Sequence, residues 1–430
     1  MKLRESSGPD ISPIGLGIVG LGLAGAVMVH AAARHSGFVL RAAADPNPAP
    51  RQAFARDFNV SAYQDAAELC ADPAVEVVYI ATPHQFHAQH AIMAAQHGKH
   101  IILEKPMALA LEDCDAIIAA VERNNVKLIV GHTHGFDLAN SIMRDTIECG
   151  VLGRLGMIHT FNYTNYLYRP RRPEELDTSK GGGIIFNQMP HQIDTVRYLA
   201  GGVVKSVRAH INALDPSRPT EAGCMALLTF DNGAAASLVY SGYDQFDSDE
   251  WHFGIGESGR SKSLSHGAAR RALAEAKEEA DLRTKTFAYG AAPADVPQNQ
   301  PHFGLTIVTC AKGDMRASAN GVMLYQVHGI SEIKIDQGGD VISGRFEVLN
   351  EMGAALRLGE RAIHDGRWGK ATVEVALAIL RSAREDREIT LEHQVPVPRP
   401  DVPHDHAEKG DWRIDVRIAD WPERGIYAKD

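Results

Sequence analysis

A glycine-rich turn set between an apolar run and a helical segment constrains this chain more than any other feature. Gly20-Leu21-Gly22-Leu23-Ala24-Gly25 follows the run Ile14 to Val19 (IGLGIV) and leads directly into Ala26 to Ala33 (AVMVHAAA). In a strand–turn–helix unit the first glycine permits the tight turn, the second lets backbone N–H groups approach a pyrophosphate, and the third allows close helix packing. The helix N-terminus then offers free amides and its dipole to the anion. The next apolar run, Phe38 to Ala44, ends at Asp45, twenty residues beyond Gly25. A carboxylate there is placed to bind both ribose hydroxyls. Gly20, Gly22, Leu23, Ala24, Gly25 and Asp45 are therefore expected to hold a dinucleotide. NAD is expected over NADP, because Asp45 repels a 2′-phosphate, although Arg51 lies close enough in sequence to weaken that preference and leave NADP open. For the glycines alone, the competing reading is a plain tight turn.

Further short apolar runs at Val75 to Ala81, His100 to Leu103 and Lys127 to Val130 alternate with helical stretches. Strands alternating with helices imply a parallel sheet covered on both faces. Beyond Gly135 the pattern changes. Met157 to Tyr166, Val203 to Ala213, Cys224 to Phe230 and Ala234 to Tyr240 read as strands, with Asp231-Asn232-Gly233 as a hairpin turn. A helix is expected from Gln188 to Ala200, bounded by Pro190 and Gly201-Gly202, and another from Lys370 to Glu385. The fold class is thus α/β: an N-terminal Rossmann dinucleotide-binding domain plus a C-terminal α+β domain with a largely antiparallel open sheet. The expected divisions are a tail at 1–14, the first domain at 15–135, the second at 136–396 and a tail at 397–430. The polar, Ala- and charge-rich stretch 259–300 is expected to be an insertion, partly helical or mobile.

Length and composition fit this plan: 430 residues exceed one ordinary core, and 44% hydrophobic with 23% charged residues is near the globular average. The formal net charge of −10 disfavours nucleic acid and anionic membrane surfaces as partners. Cys70, Cys114, Cys149, Cys224 and Cys310 are scattered with no metal-binding spacing, so reduced thiols, no metal and a cytoplasmic location are expected. A largely antiparallel sheet with few helices to cover it implies a homodimer or homotetramer.

Two clusters carry chemistry. Lys105, in Glu104-Lys105-Pro106, follows an apolar run at the carboxyl end of a parallel strand, where such sheets bind ligands. A partly buried lysine beside a cationic ring has a lowered pKa and passes protons near neutrality; the alternative is a surface lysine in a βα loop. The second cluster is the glycine run 181–183 followed by Ile184-Ile185-Phe186-Asn187-Gln188-Met189-Pro190-His191. Asn187 and His191, four apart, are expected on one face at the helix start, with His191 able to exchange a proton. A capping asparagine beside a satisfied histidine is the alternative.

GIVGLGLAG, ATPHQFH at Ala81 to His87, EKP at Glu104 to Pro106 and GGGIIFNQMPHQID together resemble the Gfo/Idh/MocA family of nicotinamide-dependent oxidoreductases, from about Gly15 to Glu392. The resemblance implies that Lys105 and His191 flank a small-molecule substrate beside the nicotinamide. It also implies that Thr82, Pro83, His84, His87 and Glu104 lie near the cofactor. Many sugar and polyol members carry aspartate where Asn187 stands. The segments YRPRRPEELDTSKGGG, FNQMPHQID and HDGRWGKATVEVALAILRSA are most similar to phthalate cis-4,5-dihydrodiol (4,5-dihydroxyphthalate) dehydrogenases. That similarity implies oxidation of a carboxylated cis-dihydrodiol to a catechol. Arg169, Arg171 and Arg172, ahead of the glycine run, are candidates to meet the carboxylates, a solvated basic loop being the alternative. His134, after the last parallel strand, is a further candidate substrate contact, against a loop histidine of no special role. A sugar or polyol dehydrogenase is the alternative, and a dinucleotide-bound sensor without turnover is a third reading, disfavoured by the retention of Lys105 and His191.

Overall fold

The structure, a computed structural model, describes residues 12–264, 266–287, 289, 297–335 and 344–398. The two expected tails fall largely outside the described residues.

Six parallel strands form the first sheet: β1 (Ile14–Val19), β2 (Phe38–Ala44), β3 (Ser61–Tyr63), β4 (Val77–Ile80), β5 (His100–Glu104) and β6 (Leu128–Gly131), in the order β3-β2-β1-β4-β5-β6. Their side chains divide with period two. Leu16, Ile18, Val77, Tyr79, Ile102 and Ile129 enter one core, and Val19, Val78, Ile80, Ile101, Leu103 and Val130 enter the other. Both faces are therefore buried, as continuous apolar runs require. The chain reverses direction across the sheet between β1 and β4, so the ligand crevice of such a sheet lies at their carboxyl ends. Helix starts follow their local chemistry. Pro48–Phe58 opens with the Asn47 side chain accepting from Ala49 N–H, and Gly366–Glu385 opens with Asp365 accepting from Trp368 N–H.

Nine strands form the second sheet: β7 (Leu155–Tyr163), β8 (Val204–Asn212), β9 (Gly223–Phe230), β10 (Ala235–Ser241), β11 (Leu305–Cys310), β12 (Gly313–Ala317), β13 (Gly321–Gln326), β14 (Gly329–Lys334) and β15 (Ile389–Thr390). Their order is β14-β13-β12-β11-β7-β10-β9-β8-β15. All neighbours run antiparallel except β7 and β10. The Asp231–Gly233 turn joins β9 to β10, with Gly233 at φ +85. Helices Leu138–Glu148, Met189–Ala200 and Gly366–Glu385 bury one face of this sheet. Strands β11 to β14 were not read as strands from the sequence: β12 to β14 each open on glycine and β12 and β14 carry charge, while β11 (LTIVTC) is an uninterrupted β-branched run that sequence reading missed. The stretch 259–300 contains helices Ala268–Glu275 and Glu279–Phe287; residues 265, 288 and 290–296 lie outside the described residues.

The chain returns from the second sheet to complete the first. Helix Arg345–Arg357 places Val348, Leu349 and Met352 in the same core as Leu16, Ile18 and Tyr79. Fully burying such side chains contributes about 1.5–3 kcal/mol each, which fixes the start of that helix, and with it Arg345, against the sheet. No described helix is long and apolar enough to cross a membrane. All five cysteines are free, and no cluster among the described residues has the makings of a metal site.

Candidate active site

The glycine turn is shaped for a ligand. Gly20 sits at φ +95, and a Cβ on Gly25 would lie 1.9 Å from Gly20 O, so both are needed for the turn and the helix to close. A Cβ on Gly22 would meet nothing within 4 Å: the chain leaves open space there. Helix Leu23–Ala32 has no side-chain cap and no acidic residue in its first turn, leaving its amides and positive pole to an anion. These features fit a pyrophosphate. At the end of β2, Asp45 accepts from Leu21 N–H (2.7 Å) and Asn47 N–H (2.8 Å), tying the carboxylate to the glycine turn. Arg51 donates to the main-chain oxygens of Asp45 (2.7 Å) and Pro46 (3.3 Å).

A cavity of about 670 Å³ opens beside this turn. Leu23 and Ala24 line it from the dinucleotide side, Glu104 and Lys105 from the end of β5, His134 from the segment after β6, and Arg169, Gln188 and His191 from the second domain. Glu104 is buried, accepting from Tyr79 Oη and from Arg345, 2.7 Å away. Losing either partner of such a pair leaves an uncompensated buried charge, about 3–5 kcal/mol of destabilisation. Lys105 Nζ donates to the main-chain oxygen of Asn187 at 2.8 Å. Burial lowers the Lys105 pKa, and Glu104 and Glu257 oppose that without cancelling it.

His191 is buried, its ring edge-on to His134 (centroids 4.9 Å apart) and tilted against Phe303 (4.7 Å). Burial and then the Lys105 charge hold its pKa well below the usual histidine value, and its Nδ1 has no hydrogen-bond partner. His134 is the opposite case. Burial disfavours its charge, but Asp137 at 2.9 Å and Glu257 at 3.2 Å outweigh this and push its pKa to about 9. One ring is neutral and the other cationic, side by side.

Several expected residues have other work. His87 is fully buried, with both ring nitrogens bonded to main-chain oxygens, of Pro106 (2.7 Å) and Thr82 (2.9 Å). It joins the β4 and β5 loops and offers no polar atom to a cofactor. Thr82 Oγ1 pairs with His90 (3.0 Å), and His84 Nδ1 with Gly181 O (2.9 Å), so this loop is braced around Pro83. Asn187 ends a separate short helix, Gly183–Asn187, and does not share a helix start with His191, which lies in Met189–Ala200. Its side-chain amide donates to Gly181 O (3.0 Å) and Gly183 O (2.8 Å). The carboxylate of an aspartate there could only accept, and would face two carbonyl oxygens. Asn187 thus shapes the glycine run and serves the cavity through its main-chain oxygen.

Of the three arginines only Arg169 lines the cavity. Arg171 lies over the Tyr166 ring, 3.8 Å from its centroid, and donates to Tyr166 O. Arg172 pairs with Glu174 (3.1 Å) and Glu175 (3.3 Å). Sequence reading missed Arg345, Glu257, Arg260 and Lys262, all of which line the cavity. A smaller cavity of about 210 Å³, between helices Leu111–Arg123 and Gly366–Glu385, holds none of the candidate residues.

A dinucleotide-type turn facing a lysine and a histidine across a cavity defines an NAD-binding oxidoreductase, and the comparisons make this specific. Residues 14–132 match the oxidoreductase family with NAD-binding Rossmann fold, and residues 141–260 match the GFO/IDH/MocA C-terminal domain. The chain belongs to the Gfo/Idh/MocA family. It is 37% identical over 380 residues, 86% of its own length and 95% of its relative's, to 1-carboxy-3-chloro-3,4-dihydroxycyclo hexa-1,5-diene dehydrogenase of Comamonas testosteroni. A solved putative dehydrogenase from Bordetella bronchiseptica RB50 superposes with a TM-score of 0.85 at 43% identity, covering 88% of this chain and 100% of that one. Scyllo-inositol 2-dehydrogenase (NAD(+)) of Bacillus subtilis is 29% identical over 46% of this chain and 58% of its own length. The protein is an oxidoreductase of this family, with dehydrogenase relatives that act on hydroxyl groups.

Proposed function

We propose that this dehydrogenase oxidises a carboxylated cyclic cis-dihydrodiol, of phthalate type, to the corresponding catechol, with NAD in preference to NADP. The observation that carries the reading is the charge of the cavity. In a chain of net charge −10, Lys105, Arg169, Arg260, Lys262 and Arg345 line the cavity against Glu104, Asp137, Asp249 and Glu257, and His134 adds a further positive charge. A cavity that gathers this many cations in an acidic protein, most of them paired with carboxylates, suits an anionic ligand that can take a carboxylate's place. The relative in Comamonas testosteroni acts, by its name, on a ring bearing a carboxyl and two hydroxyls.

NAD⁺, when bound, supplies the acceptor for the hydride leaving the hydroxyl-bearing ring carbon. Lys105 takes the hydroxyl proton. Its lowered pKa makes the neutral amine accessible, and its bond to Asn187 O orients Nζ. His191 is neutral with Nδ1 buried and unpartnered, and we assign its proton to Nε2 so that this nitrogen meets the ligand. It donates a hydrogen bond to the substrate oxygen, orienting it while Lys105 accepts the proton. The hydroxy-ketone so formed tautomerises to the catechol. Asp45 accepts from the ribose hydroxyls and repels a 2′-phosphate.

The second-sheet face opposite the helices exposes Met157, Met225 and Leu227, and we assign it to a second copy of the chain in a homodimer or homotetramer. The test of function is NADH formation across phthalate-type dihydrodiols, uncarboxylated dihydrodiols, inositols and aldoses, each with NAD⁺ and NADP⁺. Neutral polyols as the best substrates would replace this reading with a sugar or polyol dehydrogenase, and absence of turnover with all of them would favour the sensor.

A further inference from the structure

Glu257 occupies the middle of the cavity's cations. It sits in the turn Gly256 to Gly259, which is closed by Gly259 N–H donating to Gly256 O (2.8 Å) and by the bridge between Ile255 and Ser261. His302 N–H holds Glu257 O (3.2 Å) from outside. The carboxylate divides between the segment after β6 and the second domain. Oε1 meets His134 Nε2 at 3.2 Å, and Oε2 lies 4.0 Å from an Arg169 terminal nitrogen. Asp137 grips the far nitrogen of His134, and Asn165 Oδ1 accepts from Arg169 Nε at 2.8 Å, so both cations are fixed from behind. Their burial is unequal to that of the anion. The His134 side chain is 10% exposed, that of Arg169 28% and that of Glu257 42%. The cations are the built part of the arrangement, and the carboxylate is the part that solvent reaches.

We propose that Glu257 is an internal placeholder for the substrate's carboxylate: Arg169 and His134 form a carboxylate subsite, and an anionic ring binds by displacing Glu257 towards water. The proposal rests on the reading that the substrate carries a carboxylate. One anion replaces another on the same two donors, and no covalent bond changes. Several features favour the exchange. The Arg169 contact is long, at 4.0 Å, and the 3.2 Å bond to His134, the stronger hold on Glu257, is one that an incoming carboxylate can remake on the same nitrogen. The displaced Glu257 rehydrates on a surface turn. Emptied of any anion, by contrast, the subsite would hold a buried imidazolium short of one partner, which disfavours occupation of the cavity by a neutral ring that pushes Glu257 aside. The same residue thus keeps the cations paired between turnovers and sets a threshold that carboxylated rings must cross, whereas a neutral ring binds with Glu257 left in place. The threshold has a cost in affinity, because the competent fraction is the one with Glu257 swung away.

The experiment uses the full chain loaded with NAD⁺, as wild type, Glu257→Gln and Glu257→Ala. Calorimetry gives the Kd of phthalate, an unreactive aromatic dicarboxylate, and initial rates give kcat/KM for a carboxylated and an uncarboxylated dihydrodiol. Both variants are expected to bind phthalate about tenfold more tightly and to raise the carboxylated-to-uncarboxylated ratio of kcat/KM about tenfold. Unchanged or weaker phthalate binding in both variants, with circular dichroism showing a native fold, overturns the placeholder. The two readings fail separately. Tighter phthalate binding in variants of an enzyme that turns over only neutral polyols keeps the subsite and removes the dihydrodiol reaction. Turnover of carboxylated diols with an unmoved ratio keeps the reaction and removes the placeholder.

Discussion

Lys105 Nζ reaches the main-chain oxygen of Asn187 at 2.8 Å, joining the end of β5 to a short helix 82 positions further along the chain. That contact puts the amine on the second domain's side of the cavity, where the substrate is proposed to bind. Lys105→Ala is accordingly expected to lower kcat by about 10²–10⁴-fold. Lys105→Arg should fare little better, because a guanidinium does not give up its proton at accessible pH. Dinucleotide affinity, read by titration, should stay near that of wild type, since the glycine turn and Asp45 are untouched. A Lys105→Ala enzyme turning over at close to the native rate would show that the base is another group.

The pH dependence has two limbs. Burial lowers the Lys105 pKa, so the neutral base forms below the ordinary lysine range, and kcat/KM should rise with pH through an apparent pKa under 10.5. His134 acts in the other direction. Its pKa of about 9 means that it loses its charge above that pH, and KM for a carboxylated substrate should then climb. The same shift links to stability. A histidine whose pKa is raised on folding contributes stability that is fully present below its unfolded value, about 6.5, and lost as pH rises through about 9. Urea unfolding of wild type and His134→Gln at about pH 6, 8 and 10 should show the difference between them shrinking over that interval. A difference that widens with pH would mean that the His134–Asp137 pair does not form.

Asn187→Asp tests whether the asparagine marks substrate class or local structure. Its amide donates to two glycine carbonyls, and an aspartate would set a carboxylate against both. The expected result is a loss of about 1–3 kcal/mol of stability, together with lower kcat as the Lys105 acceptor moves. Gain of activity on inositols or aldoses by this variant would instead show that the position selects substrate directly.

The first domain was legible because its signals are local. The glycine turn, Asp45 and the alternating cores each follow from a few consecutive residues, and the structure shows Gly20 at positive φ, Gly25 packed against Gly20 O and Gly22 facing open space. The cavity's charge was less legible. Arg345 comes from a helix whose anchoring residues, Val348, Leu349 and Met352, look like any apolar helix face, and its partner Glu104 lies 241 positions away. Glu257, in Gly256-Glu257-Ser258-Gly259, reads as an ordinary surface turn until His134 and Arg169 are brought to it. The direction of Asn187 was hidden for a related reason: which acceptors its amide meets depends on the glycine run folding back beneath it. Single-residue identity suggested a site, and backbone geometry decided which atoms serve it.

The apolar face of the second sheet predicts the assembly. Met225 and Leu227 on β9 and Met157 on β7 are 61%, 49% and 46% exposed in the single chain. They lie on one face through the pairings of β10 with both strands. Light scattering should show a dimer or tetramer at micromolar concentration, and a Met225→Glu/Leu227→Glu variant should shift it towards monomer without loss of fold. Wild type that is wholly monomeric would rule the assembly out.

The three arginines before the glycine run give the final prediction, because the structure separates what the sequence grouped. Arg169 lines the cavity beside Glu257, whereas Arg171 is spent on the Tyr166 ring and carbonyl and Arg172 on Glu174 and Glu175. Arg169→Met keeps much of the stem's length while removing the guanidinium. It should raise KM for a carboxylated dihydrodiol by about 10–100-fold, the loss of a charge-assisted hydrogen bond worth about 1.5–3 kcal/mol, and should reduce discrimination against uncarboxylated diols to the same extent. Arg172→Ala removes ion pairs of a partly exposed side chain, worth about 0–1 kcal/mol, and should leave discrimination where it was. Arg171→Ala should act through stability, lowering the melting temperature as the packing over Tyr166 is lost. The measurement is kcat/KM for both dihydrodiols in all three variants beside a thermal melt. Equal effects of Arg169 and Arg172 on discrimination would mean that the carboxylate is held by the outer basic loop and not within the cavity.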